Sequence, residues 1–165
     1  RNLLSEKGVK LRPGVKRLIQ EGIQNLISLN IATSSSFANV DALMSANFGT
    51  NWEKYFQVIE TCDTTKEKKP NPAVYKNVLS KSKLKAENVI AIEDTPNGLE
   101  AALRASIKTV VTVHRMTAEN FFHNSSLVLD SMGEPEQPFN VLSGNAFDHR
   151  FLNLLLLDKL LGHPK

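Results

Sequence analysis

The sequence predicts an α/β fold, a mostly parallel sheet flanked by helices. Apolar, β-branched runs alternate with segments whose apolar residues recur at helical spacing. The intervals between the runs leave room for a crossover helix, which parallel strands require. Hydroxyl and carboxylate residues gather where the runs end, at the edge of such a sheet where ligands bind. A length of 165 residues suits one domain with a real core, and no internal repeat or low-complexity tract divides it.

Each element follows in order. Pro13 and Gly14 open a helix that carries Val15, Leu18, Ile19 and Ile23 on one face. A strand is expected over Leu26 to Thr33, ending in Ile31-Ala32-Thr33. Ser34, Ser35 and Ser36 then offer capping hydroxyls to a helix from about Phe37 to Ala46. Phe56 to Thr61 reads as a shorter strand and Asp63 to Pro72 as a polar loop. Val74, Tyr75, Val78 and Leu79 give a helix over Ala73 to Leu79. The run Val89-Ile90-Ala91-Ile92 suits a strand buried on both faces, and Glu93 and Asp94 end it outside the core. Thr95 and Pro96 suit the N-cap and first turn of a helix reaching Ala105. Thr109 to His114 is a further strand and Leu127 to Leu129 a short one. Gly133 to His149 reads as irregular, and Phe151 to Leu161, interrupted by Asn153, Asp158 and Lys159, as a terminal helix packed on the core.

Composition narrows the function classes. The net charge of +3 comes from 20 basic and 17 acidic residues dispersed along the chain, without the clustered arginines or stacking aromatics of a nucleic-acid reader. The densest basic patch, Lys66 to Lys69, is broken by Glu67. Cys62 stands alone, which excludes an internal disulfide and a thiolate-rich zinc site. His114, His123, His149 and His163 show no paired ligand spacing. No apolar stretch approaches the roughly 20 residues of a membrane span. We therefore expect a soluble protein of a reducing compartment, cytoplasm or plastid stroma, with neither nucleic acid nor membrane as partner.

Three places carry candidate chemistry. Thr33 and Ser34, between a strand and a helix, fit either a phosphate site or plain capping. Lys69 lies in Lys68-Lys69-Pro70-Asn71-Pro72, where the prolines restrict its backbone; it fits a phosphate-neutralising cation or a solvated loop lysine. Glu93 and Asp94 fit Mg²⁺ ligands, or an acid pair favoured by a helix dipole. Their order along the chain, all at one edge of the expected sheet, favours the functional readings.

Ile31-Ala32-Thr33-Ser34-Ser35-Ser36, Lys69-Pro70-Asn71-Pro72 and Ile92-Glu93-Asp94-Thr95-Pro96-Asn97-Gly98-Leu99-Glu100-Ala101-Ala102 resemble the second, third and fourth motifs of the haloacid dehalogenase-like hydrolases. Leu11-Arg12-Pro13-Gly14-Val15, Gly133-Glu134-Pro135 and Ser143-Gly144-Asn145-Ala146 extend the likeness over nearly the whole chain, toward the CbbY-like sugar-phosphate phosphatases and their β-phosphoglucomutase and phosphoglycolate phosphatase kin. The resemblance implies a Rossmann-like core that hydrolyses a small phosphorylated metabolite through an aspartyl-phosphate, with Mg²⁺. It implies that Thr33, with Ser34, binds the phosphoryl group, that Lys69 neutralises it, and that Asp94, helped by Glu93, holds the metal. Ala73 departs from the pattern, since many relatives carry Asp there.

The family's first motif, Asp-x-Asp-Gly on the central strand, occurs nowhere in the 165 residues. The expectation is a carboxyl-terminal part of a hydrolase core, incomplete at its amino end, lacking cap, first catalytic strand and nucleophile, and inactive alone. A chain beginning with Arg1 suits that reading. Two other readings stand beside it, a non-catalytic relative that binds a phosphorylated ligand or partner and a sugar-phosphate mutase. Loss of the central strand would leave a gap in the sheet or bare strand edges, and hence a route to self-association and marginal stability.

Overall fold

The computed structural model describes residues 10–162. The segment before Lys10, and His163, lie outside them. Helix α1 (Val15–Gln24) starts at Gly14, whose φ of 84° is left-handed. A Cβ there would sit 2.5 Å from Cβ of Met132 and 2.6 Å from the Gly133 carbonyl, so only glycine lets α1 approach the carboxyl-terminal tail this closely. The Gly14 amide donates to Oε1 of Glu134, and Arg17 holds Oε2 of the same carboxylate at 2.9 Å.

Strand β1 (Asn30–Ala32) is much shorter than the sequence pattern suggests. Leu26 has a φ of 55° and is 93% exposed, so the residues after α1 form a turn, and the apolar character of Leu26 and Ile27 faces solvent. Helix α2 (Phe37–Phe48) follows, capped by Ser36, whose hydroxyl accepts from the Asn39 amide. A short 3-10 turn buries Trp52 completely before β2 (Val58–Glu60). Helix α3 (Ala73–Ser82) runs one turn past Leu79, and β3 (Ile90–Glu93), α4 (Pro96–Arg104), β4 (Lys108–Thr112) and β5 (Leu127–Leu129) lie where the alternation of patterns puts them. The tail is less irregular than its Gly and Pro content implies: Val141–Gly144 forms β6, exposed along its whole length. An edge strand that buries nothing gives no hydrophobic pattern to read. Helix α5 (Leu154–Leu161) is capped by Asn153, which explains its later start.

The strands form two sheets. β1 and β2 are parallel, with Ile31 opposite Ile59. β3, β4 and β5 are parallel in that order, and β6 closes the second sheet antiparallel to β5. Among the described residues β1 and β3 each pair along one edge only. Apolar packing holds the sheets side by side. Val74 and Tyr75 of α3 join Ala32 of β1, Ala91 of β3 and the alanines of α4 in one cluster. On the other side α1 sends Ile19 to Ile31 and Leu18 to the core under Ile92 and Val110. This edge position changes β3 from the strand expected. Ala91 and Glu93 are buried while Ile90 and Ile92 are only partly covered, so one of the two acids is inside the core.

Arg12 is a brace. Its guanidinium donates to the carbonyls of Thr112, Val113 and Asp130, which joins the chain before α1 to the ends of β4 and β5.

Candidate active site

The carboxyl ends of β1, β2 and β3 bring together the residues singled out from the sequence. Thr33 follows β1, and its amide donates to the Glu60 carbonyl, which extends the pairing with β2. Its hydroxyl oxygen accepts from the Ser35 amide at 3.1 Å, a local turn that fixes the loop. The Phe37 amide, at the start of α2, is taken by Oδ2 of Asp63 at 2.7 Å. Ser34 is exposed and has no hydrogen-bond partner among the described residues. Ser36 and Asp63 thus take up the amides at the start of α2, while the Thr33 hydroxyl is engaged in its own turn and Ser34 is exposed.

Lys69 comes from the loop after β2, held at Asn71 by the Asn71 side chain accepting from the Ala73 amide. It is no solvated loop lysine, for its side chain is 12% exposed. The ammonium donates to the Ala32 carbonyl at 3.0 Å and to Oε1 of Glu93 at 2.5 Å. One charged group therefore spans the end of one sheet and the end of the other. Glu93 is 7% exposed and also accepts from the hydroxyl of Tyr75. Burial first, and then the charge of Glu93 and the bond to it, push the Tyr75 phenol well above its usual range, so the hydroxyl stays a donor.

Gly98 makes this arrangement fit. A Cβ at that position would lie 1.9 Å from Oε2 of Glu93, so the first turn of α4 can close over the carboxylate only without a side chain. Thr95 caps the helix by accepting from the Gly98 amide, as its sequence position suggests.

The two acids consequently part company. Asp94 is about half exposed, its side chain at 51%, with Nε2 of His114 3.7 Å away. Nδ1 of His114 accepts from the Met116 amide. A hard cation that keeps several waters needs only one or two protein carboxylates, and Asp94 is the one of the two acids that solvent reaches. Glu93 offers Oε1 to two donors already, which leaves it the counter-ion of Lys69 first. Among the described residues no group of three or more His, Cys, Asp or Glu side chains converges on one point. Beside Asp94 lies a cavity of about 180 Å³, lined by Arg12, Val15, Ile92, Thr112 and Met132 among others. That falls below the roughly 300 Å³ where small-molecule sites begin.

Sequence reasoning missed Tyr75 and Gly98. Tyr75 reads as one more apolar position of α3, and only its polar tip in the first turn after the Lys69 loop hints otherwise. Gly98 lies within the stretch that resembles the family's fourth motif, but no local pattern says that a carboxylate needs its bare Cα.

Residues 1–112 match the haloacid dehalogenase-like hydrolase family. The chain belongs to that family. It is 44% identical to the plasmid-borne protein CbbY of Cupriavidus necator over 131 residues, 79% of this chain and 52% of the relative. It is 31% identical to the phosphorylated carbohydrates phosphatase of Thermotoga maritima over 135 residues, 81% of this chain and 60% of that one. The crystal structure of CbbY from Rhodobacter sphaeroides in complex with phosphate superposes with a TM-score of 0.75 at 37% identity, covering 78% of this chain and 57% of that one. A mutant of the same enzyme has been crystallised with xylulose-(1,5)bisphosphate, with the same similarity. The chain thus spans about half the length of these relatives, and its mixed α/β architecture is theirs. No helix among the described residues is long and apolar enough to cross a membrane.

Proposed function

We propose that this chain supplies the carboxyl-terminal part of the core of a Mg²⁺-dependent phosphatase acting on a small phosphorylated metabolite, a sugar phosphate. The observation that carries the reading is the largely enclosed Lys69 ammonium, fixed between the Ala32 carbonyl and Glu93 beside the open carboxylate of Asp94. The resemblance to phosphorylated-carbohydrate phosphatases and to CbbY, crystallised with phosphate and with a pentulose bisphosphate, supports the substrate class.

In this reading the Thr33 hydroxyl and the Ser34 amide bind phosphoryl oxygens at the end of β1. Lys69 neutralises charge on the group being transferred, from a position largely screened from water by Tyr75 and Glu93. Asp94 would hold Mg²⁺, while Glu93 serves the site by keeping Lys69 in place. The cation would supply neutralisation of the phosphate and orientation of its oxygens. The aspartate nucleophile is not among these 165 residues, so the residues present bind and orient but do not form the covalent intermediate.

Calorimetric titration of the chain with inorganic phosphate, with and without Mg²⁺, tests this. Binding is expected to be strengthened by Mg²⁺, to be lost in Lys69→Ala and to lose its Mg²⁺ dependence in Asp94→Asn. No phosphate should be released from sugar phosphates by the chain alone. Phosphate binding indifferent to Lys69→Ala would overturn the assignment.

A further inference from the structure

We propose that Tyr75 is a positioning residue for Lys69, acting through Glu93. The proposal deepens the reading of Lys69 as the phosphate-facing cation and rests on it for its purpose, though not for its geometry.

A lysine carries its charge on a flexible stem, and holding it in one rotamer costs side-chain entropy. Something has to restrain it. The loop that carries Lys69 fixes its Cα, not its ammonium. Tyr75 reaches the ammonium in two ways. Its hydroxyl donates to Oε1 of Glu93, the same oxygen that accepts from Lys69. Its ring lies under the charge, with Nζ 5.0 Å from the centroid, within range of a cation–π attraction. The ring itself is only 6% exposed and packs with Val74, Ala91 and Ala101, so it cannot follow a wandering lysine.

The carboxylate is trapped between these contacts and α4. Oε1 holds two donors, while Oε2 faces the bare Cα of Gly98. Glu93 therefore has one orientation, and Lys69 inherits it. Two of the three ammonium protons are used, on the Ala32 carbonyl and on Glu93. The third has no acceptor among the described residues and is the one left for a phosphoryl oxygen. A tyrosine kept merely to fill the core would need its ring and not its hydroxyl on this atom.

The test follows the Lys69 ammonium by nuclear magnetic resonance in the chain labelled with ¹⁵N-lysine, its signal assigned by its loss in Lys69→Arg. Tyr75→Phe keeps the ring and removes the hydroxyl; Tyr75→Leu removes both. Exchange of the Lys69 ammonium protons with water is expected to rise about fivefold in Tyr75→Phe, the ratio that one hydrogen bond of ordinary net strength carries. It should rise further in Tyr75→Leu. An unchanged or slower rate in Tyr75→Phe overturns the proposal. If that variant does not fold, the unaltered chain decides: a Tyr75 hydroxyl proton in slow exchange supports the proposal, and its absence overturns it. Adding inorganic phosphate to the unaltered chain separates the two readings. A Tyr75 effect without a phosphate-induced shift of the Lys69 signal would overturn the phosphate role and leave the positioning role standing.

Discussion

Two glutamates end strands of different sheets, and each meets a lysine at 2.5 Å. Glu60 ends β2 and is 1% exposed; Glu93 ends β3 and is 7% exposed. Their surroundings differ in what the lysine can do. Lys81, the partner of Glu60, is 57% exposed and reaches in from solvent, whereas the side chain of Lys69 is only 12% exposed. The remaining donors to Glu60 are the hydroxyls of Thr64 and Thr65, from the loop that the strand leads into. Glu60 thus ties down its own loop, and Asn77 of α3 completes the tie through the Thr65 hydroxyl. Glu93 instead links groups from β1, the β2–α3 loop and α3. The contrast teaches that a buried carboxylate orients its lysine only when the cation, and not the anion alone, is enclosed.

The comparison can be broken at several points. Glu93→Ala has the largest expected effect, a loss of about 3–5 kcal/mol in urea unfolding, because it leaves a largely buried ammonium without its counter-ion. A loss close to that of an exposed pair would show that Lys69 escapes to solvent. Gly98→Ala comes next, at about 1–3 kcal/mol from overpacking, and should also displace Glu93 and free Lys69 in the ammonium exchange measurement.

Glu60→Ala is expected to cost a similar or smaller amount, about 1–3 kcal/mol, because Lys81 regains water while the threonine hydroxyls lose their acceptor. Its pH dependence marks it. Burial alone would raise the Glu60 carboxyl, but the bonds from Lys81, Thr65 and Thr64 outweigh it and hold the group below its ordinary value of 4.5. A depressed folded value means stability that is present above about pH 4.5 and lost as the pH falls through the folded value. Unfolding of the unaltered chain and of Glu60→Gln between pH 7 and pH 3 should therefore converge in acid. A constant difference would contradict the pairing. Asp94→Asn should change stability least, within about 0.5 kcal/mol, since the group is half exposed; under the proposed function its effect falls on Mg²⁺-dependent phosphate binding instead.

Much of this site is legible in the residues. Thr33, Lys69 and Asp94 stand at strand or loop ends that hydrophobic period and proline placement locate, and their order along the chain brings them to one sheet edge. The division of labour between Glu93 and Asp94 is not legible, because adjacent carboxylates after a strand look alike until the strand's pleat sends one inward. Glu93 turns in with Ala91, and Asp94 turns out. Nor does spacing reveal Tyr75, whose hydroxyl meets Glu93 from 18 residues away. Strand β6 and the turn at Leu26 escaped for a simpler reason: exposed apolar residues mimic or hide the periodicity that burial normally imposes.

By itself, then, the sequence determined the alternation of strands and helices, the helix caps at Ser36 and Thr95, and the set of polar residues available at one edge. These follow from local propensity and period, which act over a few residues. Only the tertiary structure decided that Lys69 would be enclosed, that Glu93 would face it and that Asp94 would stay open. Those outcomes depend on two sheets lying side by side under α1 and α3, an arrangement set by long-range burial that no local pattern encodes.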